Sequence, residues 1–209
     1  SNTSSISVHE QERLLGSFVA RVGLGGLGWN VLENLARLGV RCIRAAEGDV
    51  FEASNMNRQL LAEEPWLDGT KNDSARERAA RINPSVGLEV LEAFLDEPKV
   101  ADFLQGSYLA VECLCGLYFR APLHPAATAA GIAMVTGAVA GWCGYVGSVA
   151  PGAPGTADLL SHAGGVEDTL GTPAPTVMLA ASLQARECVR LLLGGTAEPT
   201  VLLFDLSDG

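Results

Sequence analysis

The sequence predicts an α/β protein with a doubly wound, mainly parallel sheet and additional strands towards the carboxyl end, and three observations lead there. Phe18 to Val22 is an apolar run broken only by Arg21, and it is followed by the turn Gly23-Leu24-Gly25-Gly26-Leu27-Gly28. Val31, Leu32, Leu35, Ala36 and Leu38 then recur at helical spacing before a second strand, Val40 to Ala46, with Gly39 placed to cap the helix between them. Beyond this unit, short apolar runs keep alternating with helical stretches, the pattern of strands linked by crossover helices.

In chain order, Lys71 to Ile82 reads as a charged helix with Ala75, Ala79, Ala80 and Ile82 along one side, stopped by Asn83-Pro84. Gly87 to Leu91 is a strand, Val100 to Leu104 a short helix and Tyr108 to Cys113 a buried strand. Leu117 to Ala130 reads as helical despite Pro122 and Pro125, and Ile132 to Thr136 and Cys143 to Ala150 as strands. Pro151 to Pro173 is a Gly/Pro-rich loop, Thr176 to Leu193 a long helix and Val201 to Phe204 a last strand. With no repeat and no linker, residues 1–209 are expected to form a single nucleotide-binding domain, residues 1–17 being a tail or a short helix.

Composition narrows the function classes. The 209 residues are 48% hydrophobic and 18% charged, enough for a good core, and 24 acidic against 14 basic residues give a net charge of −10. A nucleic-acid binder dependent on counterion release is therefore not expected, and any polyphosphate contact has to be local. Five cysteines without a Cys-x-x-Cys pair argue against a disulfide framework or a zinc site and for reduced thiols in the cytoplasm. No charged residue occurs from Ala121 to Ala157, but four glycines divide Gly131 to Ala150 into pieces, so buried strands rather than a membrane span are expected.

A glycine turn between a strand and a helix lets backbone N–H groups and the helix N-terminus approach a phosphate, which makes Gly23, Gly25, Gly26 and Gly28 nucleotide-binding candidates in a Rossmann-like fold. Glu47 ends the second strand nineteen positions after Gly28, where ribose hydroxyls would lie. The next stretch, Glu47-Gly48-Asp49-Val50-Phe51-Glu52-Ala53-Ser54-Asn55-Met56-Asn57-Arg58-Gln59, is followed by Lys71.

Together these segments resemble the ThiF/MoeB/HesA group, bacterial relatives of ubiquitin-activating enzymes. That pattern runs G-x-G-G-x-G, then D-x-D-x-V-x-x-S-N-x-x-R-Q, then a lysine. Arg81-Ile82-Asn83-Pro84, Val135-Thr136-Gly137-Ala138 and Ser182-Leu183-Gln184-Ala185 also resemble family segments, in the expected order. The resemblance implies an ATP-dependent adenylyltransferase that activates the C-terminal glycine of a small ubiquitin-like sulfur carrier ending in Gly-Gly, in thiamine- or molybdopterin-type sulfur transfer. Family members are dimers, and Gly131 to Ala150 and the Thr176 to Leu193 helix hold more apolar surface than one small domain readily buries, so a homodimer with those segments at its interface is expected. The resemblance places Gly26 at the phosphates, Glu47 at the ribose, and Asn55, Arg58 and Lys71 around the triphosphate, with Asp49 and Gln59 in the same element. Arg58 and Lys71 are the catalytic candidates, since a leaving pyrophosphate needs concentrated positive charge.

Three departures from the family pattern bear on activity. Where the family has a magnesium-binding Asp, five residues before an arginine, counting back from Arg120 gives Cys115, and a thiol is a poor magnesium ligand. Glu112 then has two readings: a magnesium ligand together with Asp49, or, preferred here, an ion-pair partner for Arg21 on a neighbouring strand. The loop from Pro151 to Pro173 has no cysteine, so neither zinc nor a covalent carrier intermediate is expected there, and Cys143 and Cys188 read as small apolar residues. Lastly, Arg13 is the sole arginine in the short stretch before the first strand, where family members carry one that reaches a partner subunit's site. A non-catalytic nucleotide-binding or scaffold homologue remains the alternative; an NAD-dependent oxidoreductase would leave the Ser54 to Gln59 element and Lys71 unexplained.

Overall fold

The computed structural model describes residues 2, 4–114, 121–155 and 169–207. Strand β1 (Phe18–Val22) is central and pairs in parallel with β2 (Cys42–Ala46) on one side and β4 (Leu109–Glu112) on the other. Strand β3 (Gly87–Leu91) adds in parallel outside β2, and β5 (Ala133–Ala140) outside β4. The antiparallel strands β6 (Cys143–Val149) and β7 (Thr200–Asp205) complete a sheet ordered β3-β2-β1-β4-β5-β6-β7. The doubly wound, mainly parallel sheet with extra carboxyl-terminal strands is the architecture read from the sequence.

Alternation along the strands gives the sheet two apolar faces. On one, Val19, Ile43, Val111 and Val135 share a core with helices α2 (Gly26–Leu38), α3 (Lys71–Ile82) and α6 (Ala174–Leu192). On the other, Ala20, Val22, Ala110 and Met134 pack on α4 (Glu97–Leu104) and α5 (Leu123–Ala129). Helix α1 (Val8–Leu15), the short helix allowed for residues 1–17, starts at a capping box in which Ser7 and Glu10 satisfy each other's backbone N–H groups. Gly39 does cap α2, at φ +85°. The proline-containing helix is described only as α5, with Pro122 as its N-cap and Pro125 in its first turn, where a missing N–H is tolerated; residues 115–120 lie outside the described segments.

Helix α6 turns its apolar residues inward: Val177, Ala180, Ala181, Ala185 and Cys188 are all buried against the sheet. The apolar surface expected to drive dimerisation from this helix is thus mostly consumed within the chain. Exposed apolar side chains gather instead at Trp142 and along β7, where Val201, Leu202 and Leu203 face solvent. No described helix is long and apolar enough to cross a membrane.

Candidate functional site

The strand order reverses at β1, whose two neighbours lead away in opposite directions, and this is where open α/β sheets bind ligands, beyond the carboxyl ends of the strands. A cavity of about 290 Å³ opens there. It is lined by Val22, Gly23 and Gly25 at the end of β1, by Ala46, Glu47 and Asp49 at the end of β2, by Glu52, Asn55, Arg58 and Gln59, by Lys71, and by Cys113 and Leu114 after β4.

Gly23 takes φ +91°, and a Cβ on it would lie 2.7 Å from the Cys113 carbonyl oxygen, so both conformation and space demand glycine. A Cβ at Gly28 would overlap the Gly23 carbonyl and the Arg21 guanidinium. Gly25 caps α2 without a side-chain bond, and the first turn of α2 carries no acid. Its leading N–H groups, which have no intrahelical acceptor, are left open to an anion.

Glu47 is buried and committed to backbone. Oε2 accepts from Leu24 N at 2.7 Å, and Oε1 from Gly48 N and Asp49 N, each at 2.9 Å. One carboxylate thus ties the glycine turn to the loop after β2, a role the sequence reading did not assign it. Asn72, also missed, donates from Nδ2 to the Glu47 carbonyl at 3.3 Å.

Asn55 accepts from Glu52 N through Oδ1 at 3.2 Å, closing a short 3-10 turn at Ala53–Asn55. Its carbonyl accepts from the backbone N–H groups of Arg58 and Gln59, aiming both side chains' segment at the cavity. Arg58 donates from Nη1 to the Ser54 carbonyl at 2.9 Å and to Asn57 Oδ1 at 2.8 Å. Its stem crosses the start of α2, since a Cβ at Gly26 would lie 3.3 Å from Arg58 Cγ. Lys71 is the first residue of α3, after the Thr70 N-cap, and its side chain is only 4% exposed. A cation there opposes the helix dipole, so its placement rests on its contact with Asp49 Oδ2, 3.3 Å from Nζ, and on the cavity it lines.

The fourth wall, Ala93 to Leu95, was not foreseen. Phe94 lies over Gly48, where a Cβ would come within 2.7 Å of its ring. No motif marks these residues, because they follow β3 as ordinary loop.

The Arg21–Glu112 ion pair expected from the sequence does not form. In the parallel register, Arg21 stands opposite Val111 and Val22 opposite Glu112, so the two side chains leave opposite faces of the sheet. Arg21 donates from Nη1 to the Gly23 carbonyl, whereas Glu112 accepts from Thr136 Oγ1 at 2.9 Å. Arg44, the other strand arginine, bonds Glu89 Oε2 at 2.8 Å directly across from it on β3. Glu112 does not line the cavity. Among the described residues no group of three His, Cys, Asp or Glu side chains is arranged to hold a metal. Besides Glu47, whose oxygens are engaged by backbone N–H groups, the carboxylates at the cavity are those of Asp49 and Glu52, which fits magnesium held by one or two carboxylates and by a ligand's own phosphates. Cys115 and Arg120 lie outside the described residues.

Cys188 is buried in α6, which pushes its thiol well above the usual range, as a small apolar residue would require. Cys143 is instead exposed, opposite Asp205 on β7, whose side chain, by hydrogen bonding to it, raises the thiol above its ordinary value. Arg13 donates to the Leu193 carbonyl at 2.9 Å, near the amino ends of the strands and away from the cavity.

A doubly wound, mainly parallel sheet with an uncapped glycine turn, a buried lysine and an arginine at one cavity defines an α/β protein with a cation-bearing cavity at the carboxyl ends of its strands. The chain belongs to the ThiF family, whose model matches residues 1–208. It is 32% identical over 204 residues to the molybdopterin-synthase adenylyltransferase of Escherichia coli, covering 93% of this chain and 81% of that protein. It is 31% identical over 205 residues to the SAMP-activating enzyme E1 of Haloferax volcanii, covering 95% and 76% respectively. Solved structures agree in fold: PaaA superposes with a TM-score of 0.78 at 22% identity, covering 95% of this chain and 64% of that one. The E. coli MccB complex with ATP gives 0.75 at 17% identity, covering 95% and 67%.

Proposed function

We propose that the whole chain acts as one domain that binds ATP at the carboxyl edge of the sheet and adenylates the C-terminal glycine of a small ubiquitin-like sulfur carrier ending in Gly-Gly. The single observation that carries this reading is the placement of Lys71, a nearly buried cation facing the same cavity as Arg58 and the open end of α2. The names of the two relatives above support the substrate class, and the MccB complex supports ATP as the nucleotide.

In this reading, a carboxylate oxygen of the carrier attacks the α-phosphorus. The bond from that phosphorus to the bridging oxygen breaks, and pyrophosphate departs with the electron pair. Arg58 and Lys71 stabilise the charge that accumulates on the leaving group. Phosphate oxygens compete with Asp49 for the Lys71 ammonium, which frees the Asp49 carboxylate. Magnesium, when bound, would be held by Asp49 and Glu52 and would supply further charge neutralisation. Glu47 orients the glycine turn and keeps its two oxygens within reach of a ribose.

A non-catalytic nucleotide-binding homologue is the second reading, favoured by one observation, the cysteine at position 115 where the family pattern has Asp. Carrier-dependent pyrophosphate exchange separates the two. A crippled enzyme gains exchange on Cys115→Asp, while a scaffold that has lost carrier docking stays inactive. Calorimetry showing NAD bound more tightly than ATP would overturn the adenylation reading. We further propose a cytoplasmic homodimer, now with Trp142 and β7 rather than α6 at the interface; a monomer in sedimentation at micromolar concentration would contradict it.

A further inference from the structure

Arg21 is a fully buried strand cation whose chemistry the proposed reaction leaves unused. It lies one residue before the carboxyl end of β1 and makes no ion pair with a described carboxylate. Its Nη1 donates to the Gly23 carbonyl, and its Nε and Nη2 have no oxygen acceptor among the described residues. Burial pulls the guanidinium below its usual pKa, and the neighbouring Cys113 thiol and Glu47 carboxylate oppose that shift. A guanidinium stays charged in proteins, so a full positive charge is held in the core.

The cost of that charge is not recovered in the free protein. Buried ions without a carboxylate partner destabilise a fold relative to apolar residues of the same shape. Here the position is worse, because the first turn of α2 rests directly on the guanidinium: a Cβ at Gly28 would overlap it. The uncapped, positive end of the helix dipole is therefore stacked on a buried cation. Glu47, spread over three backbone donors, offsets part of this field. An anion at the open end of α2 would offset more of it through low-dielectric protein, where screening is weak.

We propose that Arg21 is a positioning residue of the phosphate site: from beneath the glycine turn it holds the Gly23 carbonyl inward, so that the loop N–H groups face the cavity, and it adds a buried positive charge that favours a polyphosphate over a neutral nucleoside. The inference rests on the ATP-binding reading above and deepens it.

The test compares ATP and adenosine affinities, by calorimetry and by displacement, for the unaltered chain and for Arg21→Met, Arg21→Gln and Arg21→Lys. Arg21→Met and Arg21→Gln should each weaken ATP about tenfold while adenosine stays within about twofold, and the loss should persist at raised salt because the charge is buried. Arg21→Lys should keep ATP affinity within about threefold. A merely structural arginine would weaken both ligands together, or neither, with Lys no better than Gln. An unchanged ATP-to-adenosine ratio in Arg21→Gln overturns the proposal; should Arg21→Met not fold, the Gln and Lys pair decides. Failure of the unaltered chain to bind ATP would instead overturn the functional reading, and this inference with it.

Discussion

The parallel strands β1 to β4 and the antiparallel ribbon of β5 to β7 are built from similar apolar residues but treat polar ones differently. At the carboxyl ends of β1 and β2, acids, amides and cations converge on one cavity, and Glu47, Asn55 and Lys71 are all nearly buried there. The ribbon has no such convergence. Its outer strand exposes Leu202 and Leu203, and Cys143 and Asp205 meet at its solvent-facing end. In a parallel sheet every strand ends on the same side, so loops and helix N-termini collect at one edge. Antiparallel strands alternate their ends and leave surface for covering instead.

The largest expected effect falls on the parallel side. Lys71→Met should lower carrier-dependent pyrophosphate exchange at least about 100-fold, about 2.7 kcal/mol in the barrier. Leu203→Ser, on the ribbon, should leave ATP binding within about twofold. Equal losses from the two would erase the functional division.

Packing of glycines offers a second contrast. Gly28→Ala sets a methyl group against the Gly23 carbonyl, which cannot move without opening the turn, and should cost about 3 kcal/mol in urea denaturation. Gly137→Ala on β5 meets the end of the Gln184 side chain at 2.9 Å rather than backbone; shifting it strains the buried bond from Gln184 Nε2 to the Glu112 carbonyl, and the change should cost about 2 kcal/mol.

Arg58→Ala should weaken ATP by about tenfold, or about 1.4 kcal/mol, in calorimetry, since it removes a charge-assisted contact at the start of α2. The smallest effect concerns the clamp between α2 and α3. Burial alone would raise the Glu33 pKa, but hydrogen bonds from Arg78 and Arg37 outweigh it and hold the carboxyl below its ordinary value. A lowered folded pKa contributes stability above the unfolded value of about 4.5, and that stability is lost as pH falls through the folded value. Glu33→Gln should therefore cost about 0.5–1 kcal/mol at pH 7, with the gap from the unaltered chain closing below about pH 4.

Much of the site was legible in residue order because its parts are local. A strand, a glycine turn and a helix follow one another within about twenty residues, and Ser54 to Gln59 folds its own short turn, so spacing alone marks them. The wall from Ala93 to Leu95 was invisible for the opposite reason: it reaches the cavity only because β3 pairs with β2. The apolar face of α6 that pointed to an interface is buried within the chain instead, because apolar content says how much must be buried, not which partner buries it.

From residue order alone, the glycine turn, the strand before it, the capped helix after it and the charges at Arg58 and Lys71 were already determined, since each depends on local sterics or residue type. Tertiary structure alone decided which neighbours those charges have. Arg21 and Glu112 show why. Each strand's alternation is written in its own residues, but the register between β1 and β4 is a relation across ninety residues of chain, and it sets the two side chains on opposite faces.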